Sequence, residues 1–305
     1  MAESCVIGID IGGTNFRIGA VNEHAEVLRF QKIPVGTVFH TPDAMEDLRR
    51  YMTGYVEELR AQGLKPLATA IGFPATIDRE RTYVMQAPNV AFMENLPVVK
   101  VLTEALGMPV FIERDVTMAL YYDVKKYEIP DCEVLIGCYF GTGIGNAIQI
   151  FGRPLLGRNG AAGELGHIPV DGSERECGCG NRGCMESLAG GKYLAALCRE
   201  VYQDTHVGDI FEKHGDEELL LQFIDRMACA VASEVNILDP DYVIIGGGVT
   251  SMKKFPTERL LERLKVHARK PLPAGNLRVV MVEDAEEKGA VGAAFYAYQC
   301  LKNAR

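Results

Sequence analysis

Three cysteines fall within eight residues, Cys177, Cys179 and Cys184, and His167 stands ten residues ahead of the first. Thiolates with an imidazole make a tetrahedral Cys₃His zinc set. Cys179-x₄-Cys184 has ordinary ligand spacing and Cys177-x-Cys179 is tighter, while the glycines between them let the loop wrap an ion. Four protein ligands leave no open position, so a Zn²⁺ held by His167, Cys177, Cys179 and Cys184 is structural. The plain alternative is a loop of free thiols. Two glycine turns offer different chemistry. In Asp10-Ile11-Gly12-Gly13-Thr14-Asn15 the adjacent glycines let backbone N–H groups face an anion. Asp10 faces the same point, where it could hold Mg²⁺ through water, and Thr14 adds a hydroxyl. Gly141-Thr142-Gly143-Ile144-Gly145 is the second turn. Neither is a Walker A loop or a dinucleotide fingerprint. Each alone could be a hairpin turn, but two such loops, one per domain, suit a nucleoside triphosphate clamped between two domains.

Glu113-Arg114-Asp115 closes one predicted strand and opens a helix. A carboxylate there can point into a cleft, which makes Asp115 a candidate base. The competing reading is a helix N-cap, a position Asp favours. Gly246-Gly247-Gly248 follows the strand Tyr242–Ile245 and could let a flat base lie against the backbone, or could be a bare strand–helix turn.

The elements that must carry these residues follow from periodicity. Cys5–Asp10 and Phe16–Val21 read as strands of a glycine hairpin. Met45, Leu48, Met52, Tyr55, Val56 and Leu59 recur at helical spacing, which predicts a helix over 43–62, capped by Thr41 or Asp43 and stopped at Gly63. Strands are expected at 68–73 and 110–112, and helices at 98–106 and 116–126. The pattern then restarts with strand 134–140, a glycine turn and strand 146–150, an echo of the opening hairpin. Residues 157–187 read as irregular. Helices are expected over 188–204, 217–238, 257–270 and 286–302. Alternating strands and helices place the chain in the α/β class.

The chain has 305 residues, enough for two domains, with 41 acidic and 32 basic residues and a net charge of −9. That balance argues against nucleic acid as the main partner, because such binding leans on Lys and Arg at phosphates. No apolar stretch approaches bilayer length, so no membrane partner is expected. The first residues lack a basic leader and run into a strand, so a cytoplasmic location is expected. Nine cysteines there point to thiols or a metal rather than disulfides.

These motifs in this order resemble the ROK family of sugar kinases. The resemblance implies an α/β, two-domain, actin-like/ribonuclease H-like ATPase fold with an interdomain cleft. It spans about residues 5 to 295. Asp10–Thr14 is similar to the first phosphate motif and Gly141–Gly145 to the second. Glu164-Leu-Gly-His167 and Cys177 to Glu186 are similar to the family signature. By that resemblance Asp115 takes the proton from the attacking sugar hydroxyl. Asn89, Arg114, Asp115, Glu164, His167 and Glu186 meet the sugar. Asp10, Gly12, Gly13, Thr14, Asn15, Gly141, Thr142, Gly143, Gly145, Gly246, Gly247 and Gly248 hold ATP with Mg²⁺, and the cysteines with His167 hold Zn²⁺. The implied domains are 1–117, joined by a C-terminal helix at about 289–304, and 118–288 with the zinc loop 163–187. A homodimer or dimer of dimers is implied as well. Arg114 stands where the family usually has Asn, Ala75 where it has Gly, and Asn146 where Gly is common. Arg114-Asp115-Val116, Gly72-Phe73-Pro74-Ala75 and 138–146 together look most like the D-allose kinases of the family. Other expectations weighed are a glucokinase, N-acetylmannosamine kinase or fructokinase, an actin-like ATPase that moves a partner protein, and a sugar-responsive transcriptional regulator. The last is disfavoured because the first strand leaves no room for an N-terminal DNA-binding domain.

Overall fold

The computed structural model describes residues 2–87 and 90–303. The chain divides into two compact units. Unit 1 comprises residues 1–129, 156–162 and 285–305, and unit 2 residues 130–155 and 163–284.

Unit 1 opens with β1 (Glu3–Ile11), β2 (Asn15–Asn22) and β3 (Val27–Pro34), followed by the one-turn helix α1 (Val35–Val38) and α2 (Ala44–Ala61). Asp43 caps α2 by accepting the Glu46 N–H at 3.0 Å, and Gly63 stops it in a left-handed conformation at φ +81°. Then come β4 (Leu64–Phe73), the short pair β5 (Thr76–Ile77) and β6 (Val84–Gln86), α3 (Val98–Leu106), β7 (Val110–Arg114) and α4 (Asp115–Lys126). The sheet order is β3-β2-β1-β4-β7, with antiparallel hairpins on one side and parallel β1, β4 and β7 on the other. β1 is buried through Cys5–Ile9 rather than on alternate residues only, because both faces of the sheet are covered. Ile7 and Ile9 join the α2 and α3 side chains in one core cluster, and Val6 joins those of α4 and the last helix in another.

Unit 2 holds β8 (Val134–Phe140), β9 (Ile144–Ile150) and β10 (Arg153–Pro154), then α5 (Glu186–Ala189), α6 (Gly191–Glu200), α7 (Ile210–His214) and α8 (Glu218–Leu238). It ends with β11 (Tyr242–Gly246), α9 (Thr257–His267) and β12 (Val279–Met281). Its sheet, β10-β9-β8-β11-β12, repeats the plan of the first: a meander on one side of the founding strand, parallel strands on the other. The helix expected over 188–204 is two pieces, because Gly190 is extended where it meets the turn after β8. α9 stops at His267, short of residue 270, because Ala268 is already extended. The β5–β6 pair, α7 and β12 carry too little periodic signal in sequence to be expected. No described helix is long and apolar enough to cross a membrane.

The chain returns to unit 1 through α10 (Lys288–Asn303), which lies across β1 and α4. A Cβ at Gly8 would stand 1.8 Å from the Ala290 carbonyl oxygen, and one at Gly292 would stand 1.9 Å from that of Met118. The buried pair Lys288–Asp123, at 3.0 Å, and the Tyr122 hydroxyl on Glu287, at 2.9 Å, secure the same helix. Gly292→Ala is therefore expected to destabilise the protein by about 1–3 kcal/mol through overpacking. Chemical denaturation would measure it, and an unchanged midpoint would mean that α10 shifts freely.

Candidate active site

The three parallel strands of unit 1 finish side by side. Asp10, Gly72 and Glu113 are in register across β1, β4 and β7. Their carboxyl ends are the edge where α/β sheets take ligands. After Asp10 the chain turns through Gly12–Thr14, closed by the Gly12 N–H on the Asn15 carbonyl at 2.9 Å, with Gly13 and Thr14 exposed. Asp10 pairs with Arg17, its cross-strand neighbour on β2, at 2.9 Å. Gly289 comes so close that a Cβ there would stand 2.6 Å from the Asp10 Cγ. The Asp10 carboxylate thus lies at the first turn of α10, where negative charge is favourable.

Asp115 is the first residue of α4, with Arg114 in the cap position. Its Oδ1 accepts the Val116 N–H at 2.8 Å, so it serves the helix start from inside the first turn. Desolvation, and after it the negative charge of Asp10, push the Asp115 carboxyl up to about 7. At Gly72 the first turn of α4 packs close to β4: a Cβ there would stand 3.1 Å from the Met118 Cγ and 3.4 Å from the Asp115 Cα. Arg114 donates from Nη2 to the Ala162 carbonyl at 2.7 Å. Asn89 lies outside the described residues.

In unit 2 the turn after β8 is closed by the Gly141 N–H on the Gly143 carbonyl at 3.0 Å. The carbonyls of Gly141 and Thr142 accept the N–H groups of Gly191 and Lys192 at the start of α6. Glu186 lies against this turn, with Oε2 3.3 Å from the Ile144 N–H. A Cβ at Gly143 would stand 2.2 Å from that same oxygen and would push the Glu186 carboxylate aside. The other oxygen of Glu186 is 3.4 Å from the Cys177 sulfur, and Glu164 is 3.8 Å from the His167 Nε2. Gly145 continues into β9 opposite Tyr139. Gly246 and Gly247 are demanded by packing: a Cβ would strike Val282 at 2.4 Å and the Phe140 backbone at 2.6 Å respectively. Gly248 faces open space.

Asn146 is a core residue. Its amide donates to Glu234 at 2.8 Å and to the Gly137 carbonyl at 3.1 Å, which gives a reason for Asn at this strand position. Burial pushes Glu234 up to about 7, against the hydrogen bonds from Cys138 and Asn146 that lower it.

His167, Cys177, Cys179 and Cys184 present four ligand atoms within 4.8 Å of one another. The Cys179 and Cys184 sulfurs are 3.7 Å apart, and Cys177 Sγ is 3.6 Å from His167 Nδ1. A tetrahedral zinc with Zn–S of about 2.3 Å and Zn–N of about 2.05 Å has S–S and S–N edges of about 3.8 and 3.6 Å, so the donor set fits that ion. The loop closes by the Cys177 N–H on the Asn181 carbonyl and the Val170 N–H on that of Gly183. Gly183, at φ +73°, leaves no space for a Cβ, which would meet the Ser173 carbonyl at 2.5 Å.

A model of the ROK family matches residues 6–299. The chain belongs to the ROK family. It is 30% identical to the glucokinase of Thermotoga maritima over 95% of this chain and 96% of that one. It is 28% identical to the N-acetyl-D-glucosamine kinase of Aliivibrio fischeri over 94% and 97%. It superposes on a ROK glucokinase of Streptomyces griseus, solved with glucose and AMPPNP, with a TM-score of 0.75 at 25% identity, covering 97% and 99%. The ROK fold here is the α/β actin-like ATPase fold. Within each unit the structure gathers the expected residues: Asp10, the first turn, Arg114 and Asp115 in one, and the second turn, Glu186, Glu164 and the Cys/His cluster in the other. The sequence marks no role for the side chains of Arg17, Arg81, Glu113 and Glu234. Arg17 was within reach, since a hairpin register centred on the glycine turn places it opposite Asp10. The other three act through tertiary neighbours that no local pattern reveals.

Asp115 and Glu234 both bind a proton more tightly in the folded chain than carboxyls do at their ordinary values near 4. Between about pH 4 and 7 the folded state therefore holds more protons than the unfolded state, and stability falls as pH rises. Asp115→Asn is expected to raise Tm over the parent at pH 8 and to change it little at pH 4. Equal differences at both pH values, read by thermal denaturation, would remove Asp115 as a source of that slope.

Proposed function

We propose that the protein is a sugar kinase that transfers the γ-phosphoryl group of ATP to the 6-hydroxyl of a hexose, D-allose. The observation that carries this reading is Asp115. It is a carboxyl at the carboxyl edge of a parallel sheet, tuned to about 7 and neighboured by the Asp10 turn. A base tuned near the working pH takes a proton with the greatest effect. Asp115 accepts the proton of the 6-hydroxyl as that oxygen bonds to the γ-phosphorus. The bond to the β–γ bridging oxygen breaks and ADP leaves. The turns at Gly12, Gly13, Thr14 and Asn15 and at Gly141, Thr142, Gly143 and Gly145 cradle the phosphates, with the N–H groups of Gly12 and Gly141 spent on closing those turns, and Gly246–Gly248 border the adenosine. Asp10 would hold Mg²⁺ through water, and that ion supplies charge neutralisation on the phosphates. Asn89, Glu164, His167 and Glu186 bind sugar hydroxyls.

The cysteines and His167 hold a structural zinc in this reading, and the Cys177–Glu186 contact ties the loop's fold to the sugar carboxylate. A zinc coordinated through Nδ1 fixes the His167 tautomer and ring, leaving Nε2 for a hydroxyl. Metal analysis should find one zinc per chain, and Cys179→Ser or a strong chelator should lower Tm. A zinc-free protein whose Tm ignores the chelator would end this part of the proposal.

D-Allose is supported by the segments 72–75, 114–116 and 138–146. The likeness to the T. maritima glucokinase and the A. fischeri N-acetyl-D-glucosamine kinase favours a second reading, in which the acceptor is glucose or an N-acetylated hexosamine. ADP release should be followed with Mg-ATP and D-allose, D-glucose, D-mannose, D-fructose, N-acetylmannosamine and N-acetylglucosamine. D-Allose is expected to give the highest kcat/KM, rising with pH through about 7 as Asp115 loses its proton. Asp115→Asn should cost about 10²–10⁴-fold. Another sugar in first place replaces allose and leaves the kinase standing. Release that no sugar stimulates overturns the kinase.

A further inference from the structure

Residues 156–162 are fastened to the end of β7 by two arginines, neither of which does so through a side-chain partner in the segment. We infer that Arg81 and Arg114 are positioning residues, a clamp that sets this segment and with it the start of Gly163-Glu164 for sugar binding. The inference rests on the sugar-kinase reading.

Every nitrogen of the Arg81 guanidinium is engaged. Nη1 and Nη2 both donate to the Gly160 carbonyl at 3.1 Å, Nη1 also to the Asp78 carbonyl at 3.0 Å, and Nε to Glu113 at 2.7 Å. Glu113 is fully buried and its second oxygen accepts the Arg114 N–H at 2.8 Å. The path therefore runs from Gly160 through Arg81 and Glu113 to the backbone one residue before Asp115. Arg114 adds the second tether, at Ala162. The segment is closed on itself by the Ala162 N–H on the Leu156 carbonyl at 3.1 Å, so holding two of its carbonyls holds the whole.

Two backbone features show that the fit is built. Arg81 has φ +56°, at the place in the β5–β6 turn that ordinarily takes Gly or Asn. A left-handed Arg is tolerated there because its side chain is wanted on the buried Glu113 and on Gly160. Gly160 has φ +74°, and a Cβ there would lie 2.6 Å from Arg81 Nη1. Each side of the contact is shaped to the other. Glu164 follows Ala162 by two residues, a reach of at most about 7 Å. A segment free to move would carry that carboxylate off the hydroxyl it binds. Arg114 spans to the Ala162 carbonyl; the shorter side chain of Asn does not reach so far.

Trypsin reads the clamp directly. Arg158 is exposed inside the segment, and the nearby Arg153 precedes Pro154, where trypsin does not cut. The parent chain should resist cleavage after Arg158. Arg114→Asn should be cut there roughly tenfold faster or more, since loss of a hydrogen bond from a charged donor enlarges the open population that the protease samples. Gly160→Ala should do the same from the opposite side. Arg114→Lys, which keeps one charged donor, should restore resistance. In Arg114→Asn the KM for the sugar should rise several-fold with the KM for ATP unchanged, a split that general destabilisation does not produce. Unchanged cleavage in both Arg114→Asn and Gly160→Ala overturns the clamp. Faster cleavage with an unchanged sugar KM overturns its role in sugar binding. A parent chain that phosphorylates no sugar, with protection still lost in Arg114→Asn, overturns the kinase reading and leaves the tether.

Discussion

The architecture of unit 1 depends on a seam without side chains. Gly8 on β1, Gly72 on β4, and Gly289 and Gly292 on α10 each lie where a Cβ would press on a neighbour. Removing those methylenes lets α10 and α4 settle onto the sheet at backbone distance. Two electrostatic consequences follow. The first turn of α10 arrives beside Asp10, and the first turn of α4 brings Asp115 close enough to feel the charge of Asp10. Burial raises the proton affinity of Asp115 first, and the charge of Asp10 adds to it. Arg17 is paired with Asp10 across the hairpin.

A corresponding economy governs unit 2. Gly143, Gly166, Gly190 and Gly191 allow the turn after β8, the 165–167 helix and the α5–α6 junction to meet at Glu186. One carboxylate therefore touches a backbone amide of the turn and a cysteine of the metal-fitting cluster. The loop could not take this course without left-handed glycines at 172, 180 and 183.

Much of this was legible in the chain. The glycine hairpin at 10–15, the amphipathic α2 with its Asp43 cap, and the Cys/His spacing each rest on local rules that act within a few residues, and the structure contains them. What stayed hidden is long-range. The break at Gly190 answers to the turn at Thr142 and Gly143, some fifty residues earlier. Arg81 looks like one more charged turn residue until Glu113 is placed beneath it. Asn146 looks like a departure in a phosphate loop until Glu234, on a helix 88 residues on, is found at its amide. Polar partners of this kind leave no periodic trace, because each needs only one residue at one point.

The division of the chain has a consequence for its birth. Unit 2 is assembled from residues 130–155 and 163–284, whereas unit 1 needs 285–303 to complete its sheet covering. A ribosome working at roughly 5–20 residues per second makes the whole of unit 2 while one face of the earlier sheet, lined by Val6, Val21, Ala68 and Ala70, still lacks α10. The half begun first is thus finished last. Its exposed alanine-rich face is the nascent chain's period of greatest risk, and it ends when Gly289 and Gly292 find their places.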